Sequence, residues 1–295
     1  DFSSYCPYRF PDGSVAINTT KGMFLSDPVT GHFNLLTFKN RNRTIIPDYL
    51  YPITDNEYWL GTEMAFFKWQ KGASDLDEVT VEVGARGSDL YTNNVYQVKQ
   101  FLPDEVNGEK GMWMPVLGYG ISYYIFSSGQ LLEFTGKGKG FTPLGNLLSR
   151  RLAKDSKGNI WLATAGGLYM WSRKNKLGDN NFVGYVNEPG NKNSIPFSDI
   201  NDVHVDEHDH VWFTGTGNGL AEFDGQKFYQ YFPENPASSK AFSGMHWDKS
   251  RRIWIITKNG LEVFDRDAKK FLHVDVNDGA LNNSIAAYFS NEQDG

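Results

Sequence analysis

Short runs of alternating apolar and polar residues, broken by turns rich in Gly, Asn and Asp, recur along this chain. The stretch from Ile200 to Tyr231 shows the unit most fully. Ile200-Asn201-Asp202-Val203-His204-Val205 alternates as a strand does, and Asp206 to His210 is polar and turn-like. Val211-Trp212-Phe213-Thr214 is a second strand, and Gly217-Asn218-Gly219 supplies residues that tolerate positive φ. Leu220-Ala221-Glu222-Phe223 is a third strand, Asp224-Gly225 another turn, and Lys227 to Tyr231 a fourth strand. The pattern predicts four antiparallel strands joined by short turns.

The unit repeats. Each copy centres on an apolar residue followed by Trp, at Trp59, Trp113, Trp161, Trp212 and Trp254, and a sixth copy carries Ala16 instead. Thr follows the anchor by three residues at Thr19, Thr62, Thr164 and Thr257, and a Gly follows by six or seven at Gly22, Gly120, Gly167, Gly219 and Gly260. A spacing of roughly 40–50 residues with strand-like units is the signature of a β-propeller. The predicted fold is therefore all-β, a propeller of four-stranded antiparallel blades. Such a blade cannot bury both faces alone, so the Trp reads as a wedge between blades. The single domain spans 1–295, with blades near 1–40, 41–92, 93–145, 146–195, 196–240 and 241–281. Asn283-Ser284-Ile285-Ala286-Ala287-Tyr288-Phe289 matches the first strand of the fifth unit. Residues 282–295 are thus expected to begin a seventh blade, with this chain an excerpt of a seven-bladed protein.

Composition narrows the function. The net charge of −6 and pI of about 5.6 argue against a general phosphate-backbone binder, which needs a basic face. No apolar run is long enough to span a membrane. Cys6 is the one cysteine, so no internal disulfide forms.

Asp155-Ser156-Lys157-Gly158-Asn159-Ile160-Trp161-Leu162-Ala163-Thr164, followed by Gly166-Gly167-Leu168-Tyr169, resembles the two-component-regulator propeller repeat. So do Val211-Trp212-Phe213 with Gly219-Leu220, and Ile253-Trp254-Ile255 with Asn259-Gly260-Leu261; Asn193-Ser194-Ile195 fits the same family. The resemblance is strong over 146–295 and weaker before. It implies the extracytoplasmic sensor region of a Bacteroidetes hybrid two-component system. In that family two seven-bladed propellers precede an immunoglobulin-like domain, a membrane helix and a histidine kinase. It further implies a periplasmic location, a homodimeric receptor and an oligosaccharide ligand released from a complex glycan. No kinase motif lies in this chain.

No catalytic constellation emerges, so the expectation is a non-enzymatic segment without cofactor or metal. Asp206-Glu207-His208-Asp209-His210 has ligand-type residues but reads as a solvated turn. Gly136-Lys137-Gly138-Lys139-Gly140 reads as an inter-blade loop. Counting back from each anchor by eight or ten residues marks Tyr8, Tyr49, Tyr51, Arg151, Asp202, His204 and His246 as facing the central channel, with Gln97 or Lys99 in blade three. Aromatic rings beside hydrogen-bonding groups suit a sugar. Turns and inter-blade loops add Lys21, Tyr119, Lys258, Asn259 and a basic cluster, Lys39, Arg41 and Arg43, which would suit a uronic or sulfated sugar. The expected ligand residues are Arg41, Arg43, Tyr49, Tyr51, Lys99, Tyr119, Arg151, His204, His246 and Lys258. A protein-binding scaffold is the alternative, and a glycan-active lyase or glycosidase the weaker one.

Overall fold

The computed structural model describes residues 4–19, 21–40, 43–62, 66–74, 76–78, 82–83, 100–116, 120–135, 144, 147–217, 219–239 and 241–279. Residues 282–295, assigned above to a seventh blade, lie outside this set, as do Arg41, Gln97, Lys99, Tyr119 and the 136–140 loop.

Among the described residues six blade sheets follow one another in chain order, each of four antiparallel strands. Blade one is β1 (Ser4–Arg9), β2 (Val15–Thr19), β3 (Gly22–Ser26) and β4 (Phe33–Leu36). A hairpin, β5 (Phe38–Asn40) and β6 (Arg43–Ile45), leads to blade two: β7 (Pro47–Pro52), β8 (Glu57–Thr62), β9 (Phe66–Gln70) and β10 (Asp77–Glu78). The short β11 (Glu82–Val83) pairs parallel with the outer strand of blade three. Blade three is β12 (Leu102–Val106), β13 (Glu109–Val116), β14 (Gly120–Ile125) and β15 (Gln130–Phe134). Blade four is β16 (Ser149–Lys154), β17 (Ile160–Thr164), β18 (Gly167–Trp171) and β19 (Phe182–Tyr185). Blade five is β20 (Ile200–Val205), β21 (Val211–Gly215), β22 (Gly219–Phe223) and β23 (Phe228–Tyr231). Blade six is β24 (Phe242–Trp247), β25 (Arg252–Thr257), β26 (Gly260–Asp265) and β27 (Lys270–Val274). First strands of neighbouring blades approach one another, β16 to β20 and β20 to β24, and so line the axis.

The repeated residues hold equivalent places. Trp59, Trp113, Trp161 and Trp212 each lie on the face turned toward the next blade. Trp254 pairs with His246 as Trp212 pairs with His204, and it is half-buried. The indoles of Trp161, Trp212 and Trp254 donate to Asp155, Asp206 and Asp248 at 3.1, 3.0 and 2.8 Å. The same aspartates close the first turn by accepting backbone amides, such as Asn159 N–H on Asp155 at 2.8 Å. The repeated Thr hydroxyl donates to the carbonyl of the turn Gly, at 2.8 Å from Thr164 to Gly167. That Gly has two reasons to be Gly. Its φ is +146° at Gly167 and +99° at Gly260, and a Cβ there would fall 2.6 and 2.4 Å from the carbonyl oxygens of Tyr185 and Val274.

Each of these four Trp rings meets an aromatic residue at the fifth position of the next blade's third strand. Ring centroids are 5.7 Å apart for Trp59 and Tyr124, 5.0 Å for Trp113 and Trp171, 6.0 Å for Trp161 and Phe223, and 5.9 Å for Trp212 and Phe264. Between blades one and two the counterpart is Trp69. Trp69, Phe10, Phe38 and Tyr58 fill the volume that Ala16 leaves, with Phe10 and Tyr58 rings 5.0 Å apart.

Charged contacts reinforce the rim. Arg266 of blade six pairs with Asp206 of blade five and lies over the Trp247 ring at 4.5 Å. Arg173 of blade four pairs with Asp104 of blade three at 2.6 Å, and Lys71 of blade two pairs with Asp12 of blade one. The His-bearing turn 206–210 therefore centres on a buried aspartate, while Glu207 and His208 remain more open to solvent. Among the described residues no three His, Cys, Asp or Glu side chains group as a metal site.

Candidate functional site

The inner strands are where the blades differ. Register breaks fall at Tyr5/Pro7, Pro47/Tyr49, Ser149/Arg151, Ile200/Asp202 and Phe242/Gly244, a shared feature whose bulge residues differ: Cys6, Asp48, Arg150, Asn201 and Ser243. Two of these reach to the next inner strand. Arg150 donates to Ile200 O at 2.7 Å and to Asp199 at 2.6 Å, and Asn201 donates to Phe242 O at 2.7 Å. Gln100 does the same for blades three and four, donating to Leu152 O at 2.9 Å and accepting from Leu152 N–H at 2.7 Å.

The residues marked as channel-facing share the face of the Trp anchor. Tyr8 pairs with Ala16, Tyr51 with Trp59, His204 with Trp212 and His246 with Trp254. Alternation thus separates the face toward the next blade from the face toward the previous one, and neither parity belongs to the axis as a whole. The reason is radial packing: both faces of a blade meet a neighbour, and only the edge of the first strand borders the channel. Tyr8 is accordingly buried, and Asp202 is only 4% exposed. Tyr49 and Tyr51 pack against the blade-three cluster, with Tyr49 and Phe101 rings 5.9 Å apart. In blade three the register puts Leu102 opposite Trp113, so Leu102 and Gln100 take the positions assigned to Lys99 and Gln97. The Asn107-Gly108 turn between Val106 and Glu109, with φ of +51° and +86°, is the sequence signal for this register.

Three of the expected ligand residues do come together, around Asp202. Its carboxylate accepts from Val203 N–H and Met245 N–H, each at 2.9 Å. His204 Nε2 stands 3.7 Å from Asp202 Oδ1. Burial alone would raise the Asp202 pKa, but His204, Arg151 and the Met245 amide overcome it and hold the carboxyl below its ordinary value. His246 on the neighbouring strand is exposed. Partial enclosure of its imidazole, and then the nearby His204, push its pKa down against a smaller upward pull from Asp248. The Trp247 ring lies 6.4 Å from that of His204. His204 thus stands beside the Trp247 ring, over which Arg266 lies, while Arg151 acts on Asp202, and His246 feels His204, through their charge.

The turn residues do not join this cluster. Lys258 is exposed just after Thr257, which pairs with Phe242 at the start of β24, whereas His246 lies near its end. Asn259 is engaged with Ala237 O at 2.6 Å. His204 and His246 thus lie toward the end of the axis formed by the first turns, and Lys258 toward the opposite end. Arg43 lies in β6, and its backbone pairs with Asn40.

Comparison with known proteins gives the fold and little more. No protein-family model matches the chain, and no curated protein matches its sequence. The chain is similar in structure to a catalytically inactive variant of virginiamycin B lyase from Staphylococcus aureus with quinupristin, with TM-score 0.64, 14% identity, and coverage of 94% of this chain and 85% of that one. It is similar to YCF48 bound to D1 peptide, with TM-score 0.62, 10% identity, and coverage of 92% and 82%. An extracellular domain assigned to a hybrid two-component system of B. thetaiotaomicron matches with TM-score 0.48 and 14% identity, over 95% of this chain and 47% of that one. This chain is a β-propeller. Similar propellers serve an enzyme and a peptide binder, so the fold does not select a function. Among the described residues no helix is long and apolar enough to cross a membrane.

Proposed function

We propose that this propeller is the ligand-receiving module of a periplasmic sensor, binding a glycan-derived oligosaccharide at the channel mouth between blades four, five and six. The observation that carries the reading is a polar set on adjacent inner strands, Arg151, His204 and His246, with a buried Asp202 and the Trp247 ring beside His204. Sugars need that pairing of a flat apolar surface with polar groups that fix hydroxyls. The repeat around Asp155 to Tyr169 supports a sensor, through its resemblance to the two-component-regulator family. In this reading the module turns nothing over. Its signal passes to further propeller, immunoglobulin-like and kinase domains in a homodimeric receptor. A rigid ring signals only if ligand favours one of two arrangements, so the moving element lies at an interface between propellers or protomers.

Thermal-shift screening of the domain against an oligosaccharide panel tests the proposal. A true ligand at a hundredfold excess over Kd stabilises the fold by about 2.7 kcal/mol. A panel that leaves the melting temperature unmoved would favour the protein-binding scaffold, the use for which YCF48 with its peptide is a precedent. Product release from a polysaccharide would overturn the non-enzymatic reading.

A further inference from the structure

The first turn of blade five departs from its siblings in one respect. Asp155, Asp206 and Asp248 each accept the backbone amide four residues on, from Asn159, His210 and Arg252. In blades four and six the side chain at that place also returns to the aspartate. Asn159 Nδ2 donates to Asp155 at 2.8 Å, and Arg252 Nε to Asp248 at 2.7 Å. In blade five Asp206 is already taken by Arg266 and the Trp212 indole. His210 turns instead to Glu222, its Nδ1 2.8 Å from Oε1. Glu222 is itself a departure: it pairs with Trp212 where Met170 pairs with Trp161 and Val263 with Trp254.

Glu222 is 5% exposed, and its other oxygen accepts from the Tyr231 hydroxyl at 2.7 Å and the Lys269 ammonium at 3.1 Å. Such a carboxylate accepts and does not donate, so the neutral His210 ring carries its hydrogen on Nδ1 and its lone pair on Nε2. Among the described residues no group bonds that Nε2, and the side chain is 33% exposed. The His208 ring stands 6.2 Å from the His210 ring. Both backbone amides are fixed on the same Asp206 oxygen. Glu207, 3.7 Å from His208 Nε2, is committed to Arg251 and Arg266 at 2.8 and 3.1 Å.

We infer that His208 and His210 form a site for a divalent transition-metal ion of the zinc class, with Glu222 as the positioning residue behind His210. Imidazole nitrogen suits such ions, whereas magnesium and calcium take oxygen ligands. A carboxylate on the far nitrogen is the usual support of a ligating histidine, fixing the ring and raising its basicity. With Zn–N bonds of about 2.0–2.1 Å, two rings on one tetrahedral ion have centroids about 5 Å apart. A small turn of the exposed His208 ring closes the difference. Closed structural zinc sites use four protein ligands, so two leave this ion open to water and to a further ligand.

Calorimetry of the tag-free domain with zinc chloride tests the site, with magnesium and calcium chloride alongside and histidine ring NMR to locate the ion. Zinc should bind one per chain, shift the rings of His208 and His210, and raise the melting temperature until EDTA removes it. Magnesium and calcium should do none of these. Glu222→Gln should weaken zinc binding roughly 10–100-fold, and the ¹⁵N shifts of His210 should lose the Nδ1–H preference. His208→Ala and His210→Ala should each weaken it more. His208→Ala, at an exposed position, should keep the fold by circular dichroism and carries the test if Glu222→Gln unfolds. His32→Ala, at an exposed position in blade one, should leave zinc binding unchanged. No zinc binding, or binding untouched by His208→Ala and His210→Ala, would overturn the site. Full affinity in a folded Glu222→Gln would overturn the role of Glu222.

Discussion

The rim and the axis of this ring follow opposite rules. At the rim, interface after interface repeats one device: a Trp from one blade against an aromatic from the next. Interfaces one–two, three–four and five–six add a cation on the preceding blade's aspartate. At the axis, the equivalent inner-strand positions hold Tyr49 and Tyr51, then Gln100 and Leu102, Arg151 and Ala153, Asp202 and His204, and Gly244 and His246. What repeats builds the ring. What varies along the same positions is packed through Tyr49, Tyr51, Leu102 and Ala153 and turns polar at Arg151, Asp202, His204 and His246, where a bound molecule is the natural candidate.

If the rim carries stability, truncating it should be costly. Trp212→Ala removes a fully buried ring and should cost about 3–5 kcal/mol, read from equilibrium denaturation. Arg266→Met leaves the buried Asp206 without its counter-charge, and should cost about 3–5 kcal/mol. Its counterpart at blades one and two sharpens the contrast. Asp12 is half exposed there, so Lys71→Met should cost at most about 1 kcal/mol. Equal losses for the two variants would contradict the view that burial sets the strength of this contact. Ala16→Trp should not restore a missing anchor. Trp69, Phe10 and Tyr58 already fill the space, so overpacking should destabilise by about 1–3 kcal/mol.

A smaller effect separates the carboxylates by pH. The Lys71 hydrogen bond, then Ser14, lowers the Asp12 pKa to about 2. In Asp248 the indole of Trp254 and the guanidinium of Arg252 outweigh burial and bring the pKa to about 2. A depressed carboxylate stabilises the fold above its unfolded pKa of about 4 and loses that contribution as pH falls toward the folded value. The melting temperature should therefore decline between about pH 4 and about pH 2, and carboxyl NMR should show the Asp12 pKa moving up in Lys71→Met, short of its ordinary range because the Ser14 hydrogen bonds remain.

The rim is legible in the sequence because its parts are local. Trp, Thr and Gly stand at fixed offsets within one blade, and Asp155, Asp206 and Asp248 each precede their Trp by the same step. The second aromatic of each interface is equally periodic, at Trp69, Tyr124, Trp171, Phe223 and Phe264, but its partner lies one blade away. The axis is harder to read. Alternation along an inner strand distinguishes two neighbours, not core from channel, so it misplaces Tyr8 on β1 and Asp202 on β20. Arg151, His204 and His246 stand out because polar residues occupy those register positions. Their grouping around Asp202, and the separation of Lys258 at the opposite mouth, require three strands in space.

The central claim, that the rim holds the ring and the inner strands hold the ligand, meets its most direct test in one variant. His246→Gln touches only the axis, where this side chain is exposed. Differential scanning calorimetry with and without an oligosaccharide that stabilises the wild type measures both halves of the claim together. The account predicts a ligand-free melting temperature close to that of the wild type, because changes at such sites usually stay within about 0.5 kcal/mol, and loss of the ligand-induced rise. A ligand-free loss as large as that of Trp212→Ala, or a ligand-induced rise left intact, would contradict it.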